Sequence, residues 1–147
     1  MLKLTKKADY GLIAMKHLAE RDAAAGAACS AKEIAEAYAL PSEALAKILQ
    51  RLAKQGLLLS QHGTNGGYAL ARDARAISAL EVIEAIEGRL YIAACMIDEH
   101  DCEQLEKCTI RHPLRKVNES IEEVLSRLSV ADLIEPERVA PELITLH

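Results

Sequence analysis

The sequence predicts a mainly α-helical protein, and three observations carry that expectation. Long Ala-, Leu-, Glu- and Lys-rich stretches are interrupted by only 7 Gly and 4 Pro in 147 residues, a composition that favours helix. Apolar residues recur along these stretches at the helical period. A single glycine-rich interruption, HGTNGG at residues 62–67, supplies the turn chemistry of a β-hairpin. The length suits one domain. Half of the residues are hydrophobic, with no Phe and no Trp, so the core must be packed from Leu, Ile, Ala and Val.

Each element has its own signal. Thr5 is an N-cap for a first helix whose apolar positions are Ala8, Leu12, Met15, Leu18 and Ala19. Gly26 and its small neighbours break that pattern. Ser30 and Glu33 form an S-x-x-E capping box that opens a short helix through Ile34, Ala35 and Tyr38. Only Ala39, Leu40 and Pro41 separate it from a third helix carrying Leu45, Ile48, Leu49 and Leu52, which Gly56 closes. Two helices joined by so tight a turn make a helix-turn-helix. Leu57–Ser60 and Tyr68–Leu70 are strand-like runs on either side of HGTNGG, so a hairpin follows directly, which is the winged-helix order. Ser78 and Glu81 cap a further helix that ends at Gly88.

Beyond residue 108, Ile110, Leu114, Val117, Ile121, Val124/Leu125 and Leu128 advance in alternating steps of four and three. That spacing makes an a/d seam, which can pack on its own domain or pair with its twin as a two-fold dimer. The reading is a winged helix-turn-helix over 1–88, a cysteine-bearing loop over 89–108, a long C-terminal dimerisation helix over 109–129 and a short tail over 130–147. Within the tail, Ser129 and Asp132 start one last turn.

The net charge of −4 hides an asymmetry. Residues 1–75 hold 11 Lys/Arg against 7 Asp/Glu, and residues 76–147 hold 7 against 15. A basic amino half on an acidic carboxyl half suits a polyanion-binding head, although solvated helices also drift in charge. The third helix offers Ser42, Glu43, Lys47, Gln50, Arg51 and Lys54 on its exposed face. Such a face can settle in the major groove of double-stranded DNA, and His62 and Thr64 lie in the wing. GTNGG is not a phosphate cradle, since it lacks the Lys-Ser/Thr of a P-loop and no helix follows it at once. There is no Ser-His-Asp set, HExxH or nucleotide loop, so the sequence argues for a binding protein without a small-molecule substrate. The charged amino terminus and the lack of a transmembrane-length apolar run predict a cytoplasmic protein.

In that compartment cysteines point to metal or redox chemistry. Cys95, Cys102 and Cys108 lie in the acidic run CMIDEHDCEQLEKC. Its carboxylates argue against buried structural thiols, and a disulfide would leave one thiol over. Zinc usually recruits a C-x2-C pair, which is missing here. An iron–sulfur cluster accommodates wider spacing, so it comes first and zinc second. Three thiols leave one position to another donor; His112, His100 and nearby carboxylates are the candidates. His112 stands four residues after Cys108, but Pro113 disfavours helical geometry at the residue before it. Cys29, set between small residues, is incidental.

From Leu4 to about Leu133 the chain resembles the Rrf family of winged-helix regulators. The resemblance rests on LTKKADYGLIAMKHLA, IAEAYALPSEALAKILQRLAKQGLL, GTNGGYALAR, EVIEAIEG and the three cysteines. It is IscR/NsrR-like, nearest to the regulators of the SUF iron–sulfur assembly operon. It implies a homodimeric repressor whose cluster on Cys95, Cys102 and Cys108 alters promoter affinity, [2Fe–2S] first and [4Fe–4S] second. Three departures stand out. IscR-like proteins place a histidine ligand three residues after the last cysteine, where this chain has Arg111 and then His112. Nitric-oxide-sensing relatives use an aspartate of the partner's first helix, and Asp9 occupies that position. The fourth ligand therefore stays open between His112 and Asp9. His62 replaces the usual wing arginine, and Ala46 replaces a base-reading polar residue, so the operator does not carry over.

Overall fold

The computed structural model describes residues 3–24, 28–64, 66–93, 107 and 109–134. Cys95, Cys102, Cys108, His100 and the chain beyond residue 134 lie outside the described residues. The described elements run α1 (Lys6–Ala24), α2 (Ala31–Tyr38), α3 (Ser42–Lys54), β1 (Leu58–Gln61), β2 (Gly67–Leu70), a 3-10 turn (Ala74–Ala76), α4 (Ala79–Glu87), α5 (Arg111–Arg127) and α6 (Val130–Ile134). This is the mainly helical winged-helix order expected from the sequence.

Local chemistry explains most of the boundaries. The Thr5 hydroxyl accepts the Ala8 N–H at 3.2 Å, which caps α1, and it also donates to the Glu87 carboxylate at the end of α4. Ser30 accepts the Glu33 N–H at 3.1 Å, so it caps α2 as expected. The full reciprocal box forms at Ser78 and Glu81. The end of α3 is a Schellman turn: Leu57 N–H bonds Leu52 O and Gly56 N–H bonds Ala53 O, both at 3.0 Å, with Gly56 at φ +84. The turn after α2 needs the same left-handed residue but has Ala39, at φ +54. Leu40 N–H closes that turn on Ala35 O at 2.9 Å.

The core is aliphatic. Met15 and Leu18 of α1 meet Ile34 of α2, Leu45, Leu49 and Leu52 of α3, Ile77, Val82 of α4, and Val130 of α6. Gly11 lets α1 approach closely, because a Cβ there would collide with Ile86 of α4. The strands pair antiparallel, Leu58 with Leu70 through Gln61 with Gly67.

Two non-local connections complete the head. Cys29 and Tyr68 exchange backbone hydrogen bonds of 3.0 and 2.7 Å, which adds a short third rung to the wing. Ser78 and Ser129 bridge in the same antiparallel manner, with Ala79 N–H to Leu128 O at 2.7 Å and Val130 N–H to Ile77 O at 2.8 Å. That bridge folds α6 back onto α1. Five residues of the segment read as a tail thus form a helix, capped by Ser129 and Asp132, whose Val130 is fully buried.

Candidate DNA interface and thiol segment

Leu45, Ile48, Leu49 and Leu52 anchor α3 in the core. This turns Ser42, Glu43, Lys47, Gln50 and Lys54 to solvent. The short turn after α2 brings α3 against α2, which is the helix-turn-helix arrangement. The face is polar and mixed in sign, with Ala46 half-buried at its margin. Arg51 is also exposed, yet its Nε–H donates to the Ala85 carbonyl of α4 at 2.9 Å. Part of its guanidinium therefore fastens α3 to α4, which the sequence pattern did not foretell.

His62, Gly63 and Thr64 are exposed at the wing tip. Gly66 N–H bonds Gly63 O at 3.0 Å and tightens the loop. Gly67 lies against the Cys29 backbone so closely that a Cβ would collide with it. The wing is thereby held to the segment leading into α2. Cys29 is fully buried, and burial, joined by the Glu33 carboxylate, pushes its thiol pKa up despite Arg21. A thiol in that state is a core side chain and a poor metal ligand, in keeping with its incidental reading.

His112 is exposed in the first turn of α5. The expectation that Pro113 would disfavour helix at this residue fails, because α5 begins at Arg111. The restriction on the residue before a proline is a steric bias that a helix can override, and Pro113 loses no hydrogen bond here, since N–H groups in a first turn have no intrahelical partner. The first such bond is Leu114 N–H to Ile110 O at 2.9 Å. Asp9 is exposed in the first turn of α1, one turn beyond the Thr5–Glu87 contact. Among the described residues no three His, Cys, Asp or Glu side chains gather to hold a metal, so the described part of the chain contains no ligand set of its own.

Within α5 only Asn118 is buried. The a/d stripe is open: Ile110 is 58% exposed, Val117 48% and Val124 55%. Lys116, Val117, Ser120, Ile121, Val124 and Leu125 line a shallow apolar groove along the helix. No described helix is long and apolar enough to cross a membrane.

A head with a solvent-facing second helix, a glycine-rich wing and a long helix bearing an uncovered apolar stripe defines the class of winged-helix DNA-binding transcription regulators. The profile of the Rrf2 family, described as an iron-dependent transcriptional regulator, matches residues 4–136, and the chain belongs to that family of regulators rather than to one of enzymes. Among proteins, it is 33% identical over 135 residues to Protein aau3 of Rhizobium meliloti, covering 90% of this chain and 85% of that one. It is 29% identical over 138 residues to the HTH-type transcriptional regulator IscR of Xenorhabdus nematophila, covering 94% and 82%. Among solved structures, CymR of B. subtilis, the global cysteine regulator, superposes with a TM-score of 0.73 at 29% identity, covering 92% of this chain and 98% of that one. IscR of T. potens does so with a TM-score of 0.69 at 32% identity, covering 95% and 90%.

Proposed function

We propose that the protein is a cytoplasmic, homodimeric repressor that binds promoter DNA and senses iron–sulfur status, with iron–sulfur assembly genes as its targets. The observation that carries this reading is the set of three thiols, Cys95, Cys102 and Cys108, which lie in sequence between the DNA-reading head and α5 with its open apolar stripe. Exposed His112 or a partner subunit's aspartate at position 9 completes the set. Three thiolates and one oxygen or nitrogen donor fit an iron–sulfur cluster and make it easier to lose than an all-cysteine site. The cluster, [2Fe–2S] before [4Fe–4S], supplies the redox- and ligand-sensitive centre. The protein's part is to hold it and to set the spacing of two α3 helices, about 34 Å apart for successive major grooves. Ser42, Glu43, Lys47 and Gln50 read base edges, Arg51 and the wing residues His62 and Thr64 contact backbone or minor groove, and the cluster biases the arrangement through its differential affinity for the two states.

Anaerobic purification tests the proposal. The expected protein is coloured, with iron and acid-labile sulfide, and Cys102→Ala loses both while DNA retention changes by at least about tenfold. Colourless protein with stoichiometric zinc refutes the cluster. A second reading, favoured by the likeness to CymR, is a cluster-free regulator whose thiols respond to oxidants or whose surface takes a protein partner. Thiol titration before and after mild oxidation, set against iron content, separates the two.

A further inference from the structure

Asn118 is 5% exposed and is the buried polar residue among those described. A buried amide needs partners for its carbonyl oxygen and its N–H groups, and here they come from the chain just ahead of the thiols. Ile92 N–H donates to Asn118 Oδ1 at 2.9 Å. Asn118 Nδ2 donates to Leu90 O at 3.1 Å and to Glu122 Oε1 at 3.3 Å. One side chain thus pairs with two backbone groups flanking Tyr91, as the peptide of a neighbouring strand would. Glu122 also faces Arg89 Nε at 3.8 Å, and the Arg89 guanidinium lies over the Tyr91 ring at 5.5 Å.

The sequence gives this clamp its consequence. Ile92 stands three residues before Cys95, and Ile110, the N-cap of α5, stands two residues after Cys108. Both ends of the thiol-bearing stretch are therefore fixed to one helix. Arg111 and Asn118 are about 10 Å apart along α5, and three residues of chain reach no further than about 10 Å.

We propose that Asn118 is a positioning residue for the metal-binding thiols: it fastens the chain ahead of Cys95 to the helix that follows Cys108 before any metal arrives. With one end loose, the metal itself would have to offset the entropy of loop closure. The proposal rests on the cluster reading for the identity of the metal, while the clamp is testable without it. It also gives metal occupancy a direct mechanical connection to α5.

Two measurements on the full-length apo protein, with and without Asn118→Leu, decide it. Leucine keeps the branching at Cγ and removes all three hydrogen bonds. In the variant the Ile92 amide should exchange at least about tenfold faster while the amides of α3 and α4 keep their protection. Cd2+ affinity, read by thiolate charge-transfer absorbance, should fall about tenfold, the lower end for losing a group that orients metal ligands. Asn118→Asp, which keeps the Ile92 acceptor and loses both donors, should fall between. Glu122→Gln, which spares both backbone bonds, should bind Cd2+ like the parent. These two variants carry the comparison if Asn118→Leu does not fold. Unchanged Cd2+ affinity in Asn118→Leu and Asn118→Asp, an unprotected Ile92 amide in the parent, or a parent that takes up no Cd2+ overturns the proposal. A parent that binds Cd2+ through its thiols but assembles no cluster from ferrous iron and sulfide refutes the cluster reading alone.

Discussion

Single residues decide whether the wing stands where α3 can use it. Gly67 sits at φ +155, and a Cβ there would collide with the Cys29 backbone, so alanine cannot enter without breaking the Cys29–Tyr68 pair. Gly67→Ala should destabilise the head by more than about 1 kcal/mol and weaken DNA binding further than the loss of stability explains, because the wing is released from α2. Urea unfolding and DNA retention of the variant check both parts; parental values in both would show that the wing is not pinned by this contact. The glycines were legible in the sequence as turn chemistry. Their contact with Cys29 was not, since it joins positions that no periodicity relates. Asn118 was hidden for a similar reason: it neighbours an a/d seam and looks like any polar residue on an exposed helix until Leu90 and Ile92 are seen to face it. Arg51 was legible as a basic residue on the outer face of α3, and its bond to Ala85 O required knowing where α4 runs.

At the scale of elements, caps settle the boundaries and one of them titrates. Burial alone would raise the Glu81 pKa, but the Ser78 backbone N–H and the Arg72 guanidinium at 2.8 Å outweigh it and hold the carboxyl below its ordinary value. A carboxylate depressed in the folded state contributes stability that is present above the ordinary glutamate value of about 4.3 and is lost as pH falls through the folded value. Thermal melts should therefore show Glu81→Gln losing less stability than the parent between pH 5 and pH 3. Ser78→Ala should cost about 1 kcal/mol at pH 7. Equal acid sensitivity of parent and Glu81→Gln would remove the cap from the account. The same local rules made most elements legible: S-x-x-E found two helix starts, Gly56 and Gly88 two ends, and Thr5 the start of α1. They failed where the determinant was positional or non-local. Pro113 lies inside α5 because a first turn tolerates it. Residues 130–134 return to α1 because the Ser78–Ser129 bridge turns them back, a pairing that leaves no trace in local sequence.

At the scale of the whole molecule the question is what covers α5. The head is self-sufficient, with Met15, Leu45, Leu49, Leu52 and Val130 all fully or almost fully buried. The helix beyond the thiols is not, since its apolar stripe meets solvent at Val117 and Val124. In the proposed dimer a second copy covers it, which would place four such valines in one interface. Replacing Val117 and Val124 by glutamine removes apolar burial of about 1 kcal/mol at each position, or roughly 4 kcal/mol per dimer. That loss weakens self-association about a thousandfold. Because both positions are exposed within one subunit, the fold of that subunit should be untouched. Sedimentation should then find dimers for the parent and monomers for the variant, with unchanged helical content. Binding to a two-half-site promoter should drop towards that of a single half-site, since the second head no longer arrives at high effective concentration. The slope of affinity against salt should become shallower, as fewer phosphates are contacted together. A variant that stays dimeric and keeps the parental salt slope would place the interface elsewhere, and with it the connection from thiols to recognition helices through α5.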